Sequence, residues 1–331
     1  MRITSHLFFG ATLFYMVYCR DKFSANAMAI IIHATEDYIE QLIHAITFFS
    51  NLEVTMIGFE RCQAVQKIKS ENIEPILNNN PNQVLIEKNW PQKGKISFMN
   101  YSASYRPDTP IILKNITYEF GFGEKVGIVG RTGSGKSSMV LAMARIIEPK
   151  AGGITIDDIN TQKINLDYLR EHLSIVPQDP FLFEGTLKEN IDPLKKYSDD
   201  KILKVLNDFC LFNELSNKEK LELEIKENGK NLSPGQKQLI CFARAVIKNN
   251  KIVILDEATS SLDYETEKTI KINMEKYFKD CTLIMITHHI SMVKDFKKII
   301  VIDKGEIIES GSYTELMSNK NGAFSSIKEK L

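Results

Sequence analysis

The chain has 331 residues, with 42 basic and 42 acidic side chains and a formal net charge of zero. Balanced charge without a basic stripe interleaved with aromatics argues against a nucleic-acid partner. The five cysteines (Cys19, Cys62, Cys210, Cys241, Cys281) are odd in number and form no C-x-x-C pair, which fits a reducing compartment and neither a disulfide framework nor a zinc site. This length allows about two domains, or one large domain with an extension.

Residues 3–19 carry no Asp, Glu, Lys or Arg, and 7–19 are nearly all apolar. Seventeen uncharged residues sit at the lower limit for a membrane-crossing helix. A cleaved leader is the tempting alternative, since Ala25-Asn26-Ala27 matches A-x-A, but Arg20, Asp21 and Lys22 stand between the apolar run and that site. Residues 27–50 read as a second helix with two faces. Ile31, Ile32, Tyr38, Ile39, Leu42, Ile43 and Ile46 form the apolar side, and His33, Glu36, Asp37, Glu40 and His44 form a polar stripe. Two readings stay open: an amphipathic helix at an interface or in solution, or a bundle helix turning its stripe to a water-filled path. Residues 70–94, with Asn78-Asn79-Asn80-Pro81-Asn82, read as a polar linker.

Beyond the linker, Ile96 and Phe98 fit a strand, and Lys125 to Val129 fit a short buried one. Then comes Gly130-Arg131-Thr132-Gly133-Ser134-Gly135-Lys136-Ser137, which fits G-x-x-x-x-G-K-[ST] at every fixed position, followed by Ser138 and a predicted helix to Ile147. Strand, glycine-rich loop and helix are the context that a phosphate-binding loop requires. Glycines let successive N–H groups converge on one anion, and the helix adds its positive end. Lys136 would reach the β- and γ-phosphates and Ser137 would ligate Mg²⁺. Asp200 to Phe212 fits a helix. Leu232-Ser233-Pro234-Gly235-Gln236 precedes an amphipathic helix with Leu239, Phe242, Ala243, Val246 and Ile247 on one face. Sixteen residues after Gln236, the apolar strand starting at Ile252 ends in Asp256-Glu257, a Walker B arrangement. Leu283 to Ile286 and Ile299 to Ile302 read as further buried parallel strands, and Lys304-Gly305-Glu306 as a tight turn.

The combination of phosphate loop, LSPGQ and Walker B resembles the ATP-binding cassette family, whose signature is usually LSGGQ. The likeness runs from about residue 95 to the C-terminus. It implies that Gln178, in Val176-Pro177-Gln178-Asp179-Pro180, is the Q-loop glutamine, that Ser260-Ser261-Leu262-Asp263 is the D-loop, that His288 is the switch histidine, and that Tyr105 stacks on adenine. Gly185-Thr186-Leu187-Lys188-Glu189-Asn190-Ile191-Asp192-Pro193 and Trp90-Pro91-Gln92-Lys93-Gly94 resemble the C subfamily, the multidrug-resistance-associated exporters, in particular their C-terminal nucleotide-binding domain. Glu257 agrees, since first domains of that subfamily often carry Asp there. Pro234 and His289 depart from the pattern, where Gly or Val and Arg are commoner.

The resemblance implies an α/β fold: a P-loop NTPase core with a β-rich edge (about 95–125) and an inserted helical subdomain (about 180–250), preceded by an all-α transmembrane fragment. Residues 1–69 would be part of a transmembrane domain with helices at 3–19 and 27–50 and a cytosolic extension, 70–94 a linker, and 95–331 the cassette. The resemblance favours the bundle-helix reading of 27–50, because it places the last two transmembrane helices there. That family's full transmembrane domain has six helices and this chain holds at most two. It is therefore expected to be a piece of a longer protein, to start late, or to assemble with other chains.

In chemistry, Gln178 and Ser137 would ligate Mg²⁺, Asp256 would hold a coordinated water, and Glu257 would act as general base with His288 beside it. Arg131, Thr132, Gly133, Ser134, Gly135, Lys136, Ser137 and Ser138 would line the nucleotide. Ser233, Gly235, Gln236 and Asp263 would act across a dimer on ATP held by a partner cassette. The expected function is ATP hydrolysis powering transmembrane export, with the ATPase domain on the cytoplasmic side of a membrane. The competing readings are a soluble cassette protein that transports nothing and an ATP-binding regulator without turnover.

Overall fold

The computed structural model describes residues 2–68, 71, 90–258, 262, 264–319 and 321–328. It divides into two compact units, Met1–Ile76 and Leu77–Leu331.

The first unit is helical. Helix α1 spans Arg2–Tyr18 and α2 spans Ala25–Gln66. Ser24 caps α2 by accepting from Ala27 N at 3.3 Å. Inside α2, the hydroxyls of Thr35, Thr47 and Thr55 donate to the carbonyls of Ile31, Ile43 and Asn51, four residues back, at 2.7–2.8 Å. Those bonds satisfy side-chain groups within the helix itself. His33 pairs with Glu36, and Glu40 with His44, each at 3.7 Å along the polar stripe. Among the described residues, α2 is the one helix long and apolar enough to cross a membrane by length and composition.

The second unit is α/β. Its chain order is β1 (Ile96–Ala103), β2 (Leu113–Phe120), β3 (Lys125–Gly130), α3 (Lys136–Met143), β4 (Pro149–Ile156), β5 (Ile159–Asn160), α4 (Leu166–Glu171) and β6 (Leu173–Val176). Then follow β7 (Gly185–Thr186), α5 (Leu187–Ile191), α6 (Asp199–Asp208), α7 (Asn217–Glu222), β8 (Glu224–Ile225), α8 (Pro234–Lys248), β9 (Ile252–Asp256) and α9 (Tyr264–Tyr277). The chain closes with β10 (Thr282–Ile286), α10 (Ile290–Val293), β11 (Lys298–Asp303), β12 (Glu306–Gly311), α11 (Tyr313–Ser318) and α12 (Ala323–Lys328).

The central sheet has six strands in the order β12-β11-β3-β10-β9-β6. All neighbours are parallel except the β11–β12 hairpin. Its inner strands are buried on both faces, which is why they read as unbroken apolar runs. Val253, Leu255, Leu283 and Met285 face one core with α8 and α9, while Ile252, Ile254, Ile284 and Ile286 face the other with α3 and the edge sheet. That edge sheet has the order β2-β1-β4-β5. The expected β-rich edge ends near residue 125, but the sheet also takes in β4 and β5. The segment 149–160 carries only short apolar runs, and its pairing with β1 passes through irregular register, where Gly152 at φ +73° would place a Cβ 2.2 Å from Met99 O. Helices α5 to α8 and the short β7–β8 pair occupy the segment expected to hold the helical subdomain.

Three boundaries differ from expectation. The helix after the phosphate loop stops at Met143, not Ile147, because Arg145 turns left-handed (φ 50°) and its guanidinium donates to the carbonyls of Thr161 and Ile164. Helix α6 stops at Asp208, not Phe212, since Cys210 and Phe212 both take positive φ, near 54° and 53°. The expected linker to residue 94 ends sooner. Trp90 is buried, its Nε1 donates to Ile156 O, and the amides of Lys93 and Lys95 bond to the Asp157 carboxylate at 2.9 and 2.8 Å.

Candidate functional site

Four adjacent strands of the central sheet end at one place. The register aligns Ile128 of β3 with Ile286 of β10, Ile286 with Asp256 of β9, and Leu255 with Val176 of β6. Within two residues beyond those positions begin the phosphate loop, Glu257, Thr287-His288 and Pro177-Gln178. Carboxyl ends of parallel strands are where open α/β sheets place ligands.

The loop itself has an exposed crest, Arg131 to Gly133, and a buried base, Ser134 to Lys136. Gly133 (φ 79°) and Gly135 (φ 108°) take conformations that favour glycine. Gly130 has no room for a side chain, since a Cβ would lie 2.3 Å from Ile302 O. Lys136 Nζ folds back into the loop and donates to the carbonyls of Gly130 and Arg131 at 3.0 and 3.1 Å, with Glu257 Oε1 at 3.8 Å. Burial pushes its pKa down, against the pull of Glu257 and Asp256. Ser134 Oγ is buried without a hydrogen-bond partner among the described residues. Ser137 Oγ donates to Asp256 Oδ1 at 3.1 Å. Burial raises the Asp256 pKa, the Ser137 bond opposes that, and the neighbouring Glu257 charge adds to it.

Glu257 sits just past β9 with φ +48°, a conformation that costs a non-glycine residue about 1–2 kcal/mol. Its amide is held by Ile286 O at 2.9 Å, so the strand next door fixes the turn. His288 Nε2 meets Glu257 Oε1 at 2.6 Å. A single carboxylate oxygen therefore faces an imidazole and an ammonium at once. Thr287 supports the histidine's strand end: its N–H donates to Ile128 O and its Oγ accepts from His289 N. Gln178 and Glu257 line one cleft of about 430 Å³, together with Pro180, Pro234, Gln238 and Leu262. Tyr105, mostly exposed, places its hydroxyl 3.0 Å from Ser138 Oγ at the start of α3.

The signature segment forms a capping box. Ser233 Oγ accepts from Gln236 N at 3.2 Å, and Gln236 Oε1 accepts from Ser233 N at 2.9 Å, with Pro234 at the first helical position. Gln236 is thus turned back onto its own helix, while Ser233 stays exposed. Asp263, with Ser260 and Ser261, lies outside the described residues.

Two side chains that sequence reasoning missed hold the glutamine segment. Gln238 Nε2 donates to Pro177 O at 3.1 Å. Arg244 donates to Phe181 O at 2.6 Å, to Asn190 O at 2.5 Å and to Asn190 Oδ1 at 2.9 Å. Both stand on α8, and the available signal was a polar residue beside its apolar face.

Residues 113–260 match the ABC transporter family. The chain is 40% identical over 92% of its length to ABC transporter C family member 6 of Arabidopsis thaliana, covering 22% of that protein. It is 38% identical over 97% of its length to ATP-binding cassette sub-family C member 2 of Rattus norvegicus, covering 20% of it. Bile pigment transporter 1 of Saccharomyces cerevisiae is 45% identical over 74% of this chain, which covers 17% of that protein. The chain thus spans about a fifth of the length of these relatives. A bacterial Atm1-family ABC exporter with ATP bound superposes with a TM-score of 0.72 and 28% identity, over 90% of this chain and 52% of that one. Through the domain that matches at residues 113–260 the chain belongs to the ABC transporter family, with C-family transporters among its relatives.

Proposed function

We propose that this chain is one half of the ATPase engine of a membrane exporter: a cassette of the C-terminal type found in C-family transporters, preceded by part of a transmembrane domain. The observation that carries the reading is the convergence on Glu257 Oε1 of His288 Nε2 (2.6 Å) and Lys136 Nζ (3.8 Å), at the strand end next to the phosphate loop. A carboxylate held this way is a base for an attacking water, and its position decides before its pKa does.

Loop amides, the α3 N-terminus and Lys136 bind and neutralise the β- and γ-phosphates. Tyr105 stacks on the base. Ser137 Oγ and Asp256 Oδ1, already 3.1 Å apart, are hard oxygen donors of the kind Mg²⁺ takes, and Gln178 supplies a third. When bound there, the ion would offset charge on the phosphate oxygens. Glu257 orients the water, and His288 holds Glu257. Ser233, Gly235 and Asp263 belong to the composite site made with a second cassette. Completion of that site by a partner excludes water and sets the turnover rate.

The first unit supports membrane attachment. Forty-two residues of α2 span about 63 Å, roughly twice the hydrocarbon thickness. Crossing near 27–48 leaves the remainder as an extension into the cytoplasm, and the stripe of His33, Glu36, Glu40 and His44 turns to the protein interior or a water path. Carbonate extraction of cell membranes tests this half of the proposal; release of the chain into the supernatant would instead favour a soluble cassette. For the cassette, Glu257→Gln is expected to retain ATP and to abolish steady-state phosphate release. Equal release from both proteins would remove Glu257 as the base, and absence of turnover in the unaltered chain with its partner would favour a regulatory role.

A further inference from the structure

The turn between β11 and β12 is tied to the nucleotide segments on two sides. Gly305 N donates to Ser134 O at 2.9 Å, and Lys114 N donates to Gly305 O at 2.8 Å. Ser134 belongs to the phosphate loop. Lys114 lies in β2, directly after the connector from Ala103 that carries Tyr105, and that connector is closed by Ile112 N on Ala103 O at 2.8 Å.

The three backbones are packed too closely for a side chain. Gly305 has φ +83°, and a Cβ there would lie 1.9 Å from Ile112 O and 3.4 Å from Leu113 Cα. A Cβ on Gly135 would reach Leu113 Cδ2 at 3.2 Å and Gly305 Cα at 3.5 Å. The bond to Ser134 O also has a directional consequence. A peptide is planar, so fixing the Ser134 carbonyl fixes the Gly135 N–H on the other side of the same unit. In the phosphate-loop reading, that N–H is one of the donors to the bound anion.

We propose that the Lys304–Gly305 turn is a brace of the nucleotide site, with Gly305 a positioning residue that sets the Gly135 amide and the base of the Tyr105 connector at the same time. It rests on the reading that residues 130–138 hold a nucleotide. Linkage then requires reciprocity: if the brace orders the site for nucleotide, bound nucleotide orders the brace.

The test is amide hydrogen exchange on the full chain, with and without a non-hydrolysable ATP analogue and magnesium. The Gly305 and Lys114 amides should slow by at least about tenfold more than the Glu124 amide, which bonds to Gly121 O at 3.2 Å in another turn. A turn with only a scaffold role would follow that reference amide. Gly305→Ala should weaken analogue binding by about tenfold, whereas Gly123→Ala, at φ +62° with open space around it, should leave binding within about twofold. Should Gly305→Ala fail to fold, the exchange measurement on the unaltered chain decides. Analogue binding with unchanged relative exchange at Gly305 overturns the brace alone. Failure of the unaltered chain to bind the analogue overturns the nucleotide-site reading and the brace with it.

Discussion

Removal of the His288 imidazole by His288→Ala probes how Glu257 is held. The bond from Nε2 to Glu257 Oε1 is 2.6 Å long, and the Glu257 side chain is largely buried. Hydrogen bonds to charged groups contribute about 1.5–3 kcal/mol. The same oxygen lies 3.8 Å from Lys136 Nζ, so a released carboxylate has a competing attraction that draws it toward the loop. If the bond energy serves to hold the base in its working pose, its loss slows hydrolysis by about 10- to 150-fold. Single-turnover hydrolysis with the partner cassette present reads the chemical step directly. Affinity for ADP, which has no γ-phosphate, should stay within about threefold, because the contact that His288 makes is with Glu257 and not with the loop. In a double-mutant cycle, His288→Ala on a Glu257→Gln background should produce almost no further loss, as the two act as one unit. Multiplicative losses in the cycle, or an unchanged single-turnover rate in His288→Ala, would refute the reasoning.

Further outcomes are expected. Ser233→Ala removes half of the α8 capping box and should cost about 1 kcal/mol by denaturant unfolding, while Ser233→Asp restores that stability without restoring hydrolysis in the paired cassettes. Phe242→Ala empties a fully buried site beside Phe209 and should cost about 3–5 kcal/mol, seen as a Tm lower by roughly 10 °C. Burial pushes the Cys281 thiol up to about 11, so at pH 8 about one part in a thousand is thiolate. Maleimide should therefore label exposed Cys210 quickly at pH 8 and Cys281 only after unfolding in urea; rapid native labelling of Cys281 would contradict its burial.

The amino-acid sequence by itself determined the family and most of the elements. Gly130 to Ser137 reads as a phosphate loop because its glycines allow the left-handed turns at Gly133 and Gly135 and Lys136 supplies the charge. Strands β9, β10 and β11 are legible because burial on both faces demands continuous apolar residues, and α8 because its apolar positions recur at helical spacing. Local pattern failed where long-range contact decides. Arg145 ends α3 because two distant carbonyls receive its guanidinium, Trp90 joins the cassette because Ile156 O accepts its indole N–H, and β4 pairs with β1 across some fifty residues. Only the tertiary structure decided that β3, β10, β9 and β6 lie side by side. That order sets Lys136 Nζ and His288 Nε2 within 4 Å of Glu257 Oε1 and places Gln178 in the same cleft as Glu257. The physical reason is that hydrogen-bond ladders between strands far apart in sequence, and the packing on both sheet faces, select strand order, and no local propensity encodes it.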